Sequence, residues 1–173
     1  MHPFITIWDD HEISNNAYQT GAENNQPDEE GDFELRKSVA RQAYYEWLPV
    51  RDSENRQLYR SFNYGNLVDL SMLDERLAGR SPQVDSISQA DYQSAERTML
   101  GAEQLAWFKE QLSNSAAQWK IIGNQVIFSP LDISALGWRG VVNTDAWDGY
   151  PAEQADIINF LKILMVLFML LVT

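Results

Sequence analysis

Apolar residues in this 173-residue chain fall into short clusters separated by polar stretches, and the spacing within each cluster sorts them into strands and helices. Phe4 to Trp8 is brief, β-branched and aromatic, and it follows Pro3. That pattern predicts a buried strand whose C-terminal end hands the charged residues after it to a loop. Asp32 is placed to cap a helix in which Leu35, Val39, Ala43 and Trp47 recur every fourth residue on one face, with Pro49 ending it. The aromatic residues Tyr44, Tyr45 and Trp47 are read as core packing. Leu58–Tyr64 and Leu67–Leu73 flank Gly65-Asn66, which predicts a hairpin with a two-residue turn.

Leu105, Phe108 and Leu112 predict a short amphipathic helix after Gly101 that runs out in Ser113-Asn114-Ser115. Trp119 to Phe128 predicts a strand, interrupted at Gly123-Asn124-Gln125 by either a bulge or a polar approach to a site. Pro151 suits the first position of a helix carrying Ile157, Ile158 and Leu161. Ile163 to Val172 is an unbroken apolar run, strand-like in this context. A membrane span needs about 20 such residues, so a buried element is expected rather than an anchor. Ser14–Asp32, Arg80–Arg97 and Ser129–Tyr150 are polar and read as surface loops. Strands alternating with helices, without an internal repeat, argue for one α/β layered domain.

Composition narrows the possible partners. The net charge of −12 repels nucleic-acid phosphates, and no basic patch offsets it. With no cysteine, the segment has neither a disulfide nor a thiolate metal site. No basic region followed by an apolar segment opens the chain, so no signal peptide is expected within it. Nothing in the pattern indicates an oligomeric state.

The chemistry concentrates in Trp8-Asp9-Asp10-His11-Glu12. Three carboxylates flanking an imidazole need plentiful water or a counter-charge, since burying them together costs several kcal/mol each. A bound cation supplies that charge; a solvated loop with one Asp capping a helix is the alternative. Asp74 with Arg76 reads as an ion pair closing the hairpin or as a substrate contact. Trp147-Asp148-Gly149-Tyr150 reads as a pocket wall or as entry to the following helix. His2 reads as a strand-edge residue.

Five phrases occur in order: HPFITIWDDHEISNNAY, AYYEWLPVR, LYRSFNYGNLVDLSMLDER, RTMLGAEQLAWFKEQLSNSAAQWKIIGNQV and DAWDGYPAEQ. Together they resemble the central part of the alkaline phosphatase D (PhoD-type) family, over His2 to about Leu161. The resemblance implies a calcineurin-like metallophosphoesterase fold, a four-layer sandwich of two mixed sheets flanked by helices. Residues 1–173 would then be a single partial domain, incomplete at both ends. It implies hydrolysis of phosphate esters, metal ions of the Fe3+ and Ca2+ kinds, and a periplasmic or extracellular address.

By that likeness Asp10 is a metal ligand and His11 faces the phosphate, the two forming the catalytic pair. Asp9 and Asn16 join Asp10 in the expected metal-binding set. Asp9 and Glu12 also have a supporting role in prospect, orienting the loop. Asn15, Arg76, Asn124 and Asp148 are expected around the substrate or behind the ligands. The family's cysteine and Gly-Asp-x-x-Tyr motifs before this segment, and its Gly-Asp-x-His motif after it, do not occur here. A truncated, catalytically silent chain or a binding module is therefore the rival expectation.

Overall fold

The structure is a computed structural model and describes residues 4–51, 57–130 and 142–164, together with the backbone of 168–172. Arg60–Tyr64 (β1) and Val68–Met72 (β2) pair antiparallel, with Tyr64 opposite Val68. The turn between them has three residues instead of the expected two. Gly65 takes positive φ, at 63°, and Asn66 does not, so Leu67 completes the reversal through its N–H to the Tyr64 carbonyl.

Trp119–Asn124 (β3) lies parallel to β2, and Phe168–Val172 (β4) parallel to β3, giving a mixed sheet in the order β1-β2-β3-β4. Parallel neighbours need a long crossover, here the helices Gly101–Asn114 and Pro151–Leu164. The expected bulge at Gly123 is absent. Gly123 stays in register between Met72 and Leu171, and the Met72 thioether fills the space where its Cβ would stand. Asn124 is the last strand residue.

Two further helices precede the sheet: α1, Pro27–Glu30, and α2, Phe33–Trp47. The crossover helices are α3, Gly101–Asn114, and α4, Pro151–Leu164. Asp32 caps α2 as the sequence predicts, accepting from Leu35 N–H at 2.8 Å. The buried face is the opposite one. Phe33, Lys37 and Tyr44 are buried, while Leu35, Val39 and Trp47 are 64%, 56% and 85% exposed. Two aromatic rings with small Ala40 between them let Trp8, Ile13 and Ala17 approach closely. Lys37 joins that face because its ammonium reaches the Gln19 carbonyl at 2.7 Å and Glu34 at 2.6 Å.

Ile163 and Leu164 end α4 instead of opening a strand. Ile157, Phe160, Leu161 and Leu164 are spaced i, i+3, i+4 and i+7, and all contribute to the main core. That core also gathers Leu100, Phe108, Ile122, Trp147 and Tyr150. A second cluster joins Trp8 and Ile13 to Phe33, Tyr44, Leu58 and Leu77. Among the described residues no helix is long and apolar enough to cross a membrane. His2, and residues 131–141 of the third loop, lie outside the described residues.

Phe4–Trp8 forms no regular secondary structure and is not part of the sheet. Side chains take the place of a ladder partner. Arg60 donates to the Thr6 carbonyl, Gln125 donates to the Trp8 carbonyl, and the Trp8 indole N–H reaches Asp74 at 3.2 Å. The segment is thereby held at the C-terminal ends of the parallel strands β2 and β3, the edge at which α/β sheets gather their ligands.

Candidate active site

The chain turns sharply after Trp8. The Asp10 carbonyl accepts from Ile13 and Ser14 N–H at 2.9 and 2.8 Å, making one helical turn. Asn16 then adopts a left-handed φ of 54°, a conformation asparagine tolerates, and its N–H points back to Asp10 Oδ2 at 2.7 Å. Asp10 is buried, with one oxygen committed to this turn. Its other oxygen, Oδ1, has no hydrogen bond among the described residues and stands 3.8 Å from the Arg76 guanidinium.

His11 is largely exposed. Its Nε2 contacts Asn15 Oδ1 at 3.1 Å and lies 3.9 Å from Asp10 Oδ2. The bond to Asn15, followed by the charge of Asp10, raises its pKa above the ordinary 6.5. Glu12 accepts from Asp9 N–H at 2.7 Å and steadies the loop entry. The amide nitrogens of Asn15 and Asn16 both donate to Glu23, which leaves Asn16 Oδ1 without a hydrogen bond among the described residues.

Arg76 does not pair with Asp74 to close the hairpin. Asp74 Oδ1 instead accepts backbone N–H groups from Arg76 and Leu77, at 3.1 and 2.9 Å, and the Trp8 indole. The buried Arg76 guanidinium reaches Asp9 through Nε at 2.6 Å and grips Asp145 with both terminal nitrogens, at 2.7 and 3.0 Å. Burial works against its charge, but Asp145, Asp9 and Asp10 more than offset that and raise its pKa. Asp145 also accepts from Arg80 at 2.6 Å. Burial would raise the Asp145 pKa, yet the two arginines hold it below its ordinary value. Three carboxylates thus face two guanidiniums, leaving one negative charge in excess.

Asn124 and Gln125 sit at this strand end but face inward. Asn124 accepts from the Trp147 indole at 3.1 Å, and Gln125 bridges Glu75 N–H to the Trp8 carbonyl. Trp147 and Tyr150 are buried core residues, and Trp147 lines a small apolar cavity with Leu73, Phe108 and Ile122. The Asp148 carbonyl accepts from Tyr92 at 2.9 Å, at the entrance to α4. Sequence reasoning missed Glu75, Arg80 and Asp145. The i, i+4 spacing of Arg76 and Arg80 was the available hint, but their shared partner lies 65 or more residues away.

Asp10 Oδ1 and Asn16 Oδ1 are hard oxygens suited to calcium, which takes six to eight of them. Among the described residues no group of three or more His, Cys, Asp or Glu is arranged to hold an ion. The loop thus offers two oxygens of the kind calcium takes, and the described residues add no third acidic or imidazole ligand to them.

Fold and loop define a mixed α/β domain that carries an acidic, imidazole-bearing turn at the ends of its parallel strands. A family model described as PhoD-like phosphatase matches residues 1–169. Alkaline phosphatase D of Bacillus subtilis (strain 168) is 36% identical over 173 residues, covering 92% of this chain and 28% of that relative. A solved structure of PhoD superposes with a TM-score of 0.80 at 35% identity, over 95% of this chain and 33% of its own. The chain belongs to the PhoD-like phosphatase family. It spans about a third or less of the relatives it matches.

Proposed function

We propose that this chain contributes one ligand-bearing loop to a phosphoric-ester hydrolase of the alkaline phosphatase D type. The complete domain would be a four-layer sandwich of two mixed sheets. The observation that carries the reading is Asp10, with one carboxylate oxygen locked by Asn16 N–H and the other without a hydrogen bond among the described residues, beside an exposed His11.

Asp10 Oδ1 and Asn16 would hold a calcium-like ion, and Asp9 would balance the buried Arg76. A bound ion supplies polarisation of the phosphoryl oxygen and a lowered pKa for attacking water. His11, whose pKa is raised, stays protonated to a higher pH than a free imidazole and can donate to a phosphoryl or leaving-group oxygen. Ferric iron would need ligands from outside this segment. The resemblance also supports an exported protein acting on phosphate monoesters or diesters.

Hydrolysis of an aryl phosphate with calcium and ferric iron tests the reading. Asp10→Asn and His11→Ala, made in this chain and in a full-length family member, should each lower turnover by about 10²-fold or more. Unchanged turnover in both would overturn it. A second reading, a catalytically silent segment, draws on the small donor set. Stoichiometric, tight calcium binding by the 173-residue chain would argue against it.

A further inference from the structure

The feature left over is Asp145, which touches none of the proposed ligands and yet controls the cation nearest to them. Arg76 has five N–H donors in a fixed plane. Asp9 takes the Nε donor at 2.6 Å, and Asp145 takes one donor from each terminal nitrogen at 2.7 and 3.0 Å. Held on two sides, the guanidinium stops 3.8 Å short of Asp10 Oδ1, beyond hydrogen-bond reach. A shift of about 1 Å would close that gap and join the two groups directly.

Asp145 is itself anchored. Arg80 donates to its carboxylate at 2.6 Å and to its carbonyl at 3.1 Å, while the Arg80 Nε donates to the Tyr150 hydroxyl at 2.9 Å. Tyr150 is fully buried and donates to the Ser81 carbonyl at 2.7 Å. The Asp145 N–H is fixed by the Asn143 side chain at 3.1 Å. Asp145 therefore cannot follow Arg76 toward Asp10, and Arg76 cannot leave Asp145 without abandoning a two-point grip in a buried setting.

We propose that Asp145 is a positioning residue that, through Arg76, keeps the guanidinium off Asp10 and so preserves Asp10 Oδ1 as an open oxygen for a hard cation. The inference rests on the reading of Asp10 given above. Without Asp145, Arg76 closes onto Asp10 and competes with the cation for the same oxygen.

Terbium(III), a hard oxygen-seeking ion whose luminescence the neighbouring Trp8 indole sensitises, is the probe, titrated into the full chain. Asp10→Asn should abolish the signal. Asp145→Asn should weaken binding about 10-fold, the size expected when a group supporting a ligand is lost. Near-ultraviolet circular dichroism should stay unchanged. In an Arg76→Met background, where no guanidinium remains to be held back, adding Asp145→Asn should leave affinity unchanged; a role for Asp145 that does not run through Arg76 would lower it again by about 10-fold. Wild-type affinity in Asp145→Asn, or that further loss on adding it to Arg76→Met, overturns the proposal. Should the asparagine variant unfold, Asp145→Glu serves instead: its longer side chain pushes Arg76 toward Asp10 and should weaken binding, and wild-type affinity there overturns the proposal. A signal that Asp10→Asn leaves intact overturns the reading of Asp10 itself, which separates the two failures.

Discussion

The indole N–H of Trp147 ends on the carboxylate of Glu75, 2.8 Å away and 72 residues distant in the chain. Glu75 lies wholly inside the protein, and its second oxygen accepts backbone N–H groups from Gln125 and Val126 at 2.8 and 3.0 Å. One carboxylate thus ties the hairpin exit to the end of β3 and to the entrance of α4.

Burial pushes the Glu75 pKa from 4.5 up to about 7, against the Trp147 and backbone hydrogen bonds that favour its charge. A folded-state pKa above the unfolded one means the folded protein binds the proton more tightly. The stabilising contribution is complete below the unfolded value of 4.5 and is lost as pH rises toward about 7. Urea midpoints should fall across that window, by up to about 3 kcal/mol in stability. In Glu75→Gln this component of the slope should disappear; an identical slope in both proteins would contradict the assignment.

Tyr44 and Trp47 should respond in the reverse of the order their sizes suggest. Tyr44 is buried edge-on against Trp8 at 5.8 Å and bonded to Thr6 at 3.0 Å, so Tyr44→Ala should cost about 3–5 kcal/mol in chemical unfolding. Trp47 is 85% exposed, and Trp47→Gln should stay within about 0.5 kcal/mol of the parent.

Removing Arg76 should be among the more damaging single changes. Arg76→Met keeps the volume but strands the buried carboxylate of Asp10, takes the partner from half-exposed Asp9 and leaves Asp145 only Arg80. A loss of about 3–5 kcal/mol is expected from denaturant titration. Adding calcium should narrow that loss, since the ion replaces part of the missing charge.

Gly101 opens α3 with φ of 76°, and its backbone lies directly against Gly79, where an added Cβ would meet the Gly79 Cα at 2.8 Å. Gly101→Ala should lower stability by about 1–3 kcal/mol through strain and backbone displacement together. Thermal melting of that variant beside Gly65→Ala, whose site is open, separates the contributions, because Gly65 shares only the positive φ.

Local signals carried the hairpin, the Asp32 cap, α3 and the Pro151 helix start into the structure, because each depends on neighbours within a few residues. The face of α2 did not follow, since Leu35-Val39-Ala43-Trp47 and Phe33-Ala40-Tyr44 are rival stripes and only Trp8, from elsewhere, decides between them. Phe4–Trp8 failed as a strand for a related reason. Its composition suits a ladder, but side chains of Arg60 and Gln125 occupy its carbonyls. The Asp10 turn was legible as chemistry, whereas its counter-charges were not. Asp145 sits in a polar loop with no local mark of its partner, and Arg76 had a nearer carboxylate in Asp74 that the backbone claimed first.

The ion chain that begins at Asp9 and ends at Tyr150 also orders events during synthesis. Its links join residues 67, 69, 65 and 70 positions apart, so each closes a long loop and none forms locally. As the polypeptide emerges, Asp9 and Asp10 wait unneutralised until Arg76 arrives, and Arg76 has no second grip until Asp145 follows. The acidic turn therefore takes its working shape only once Asp145 has been made, 135 residues after Asp10.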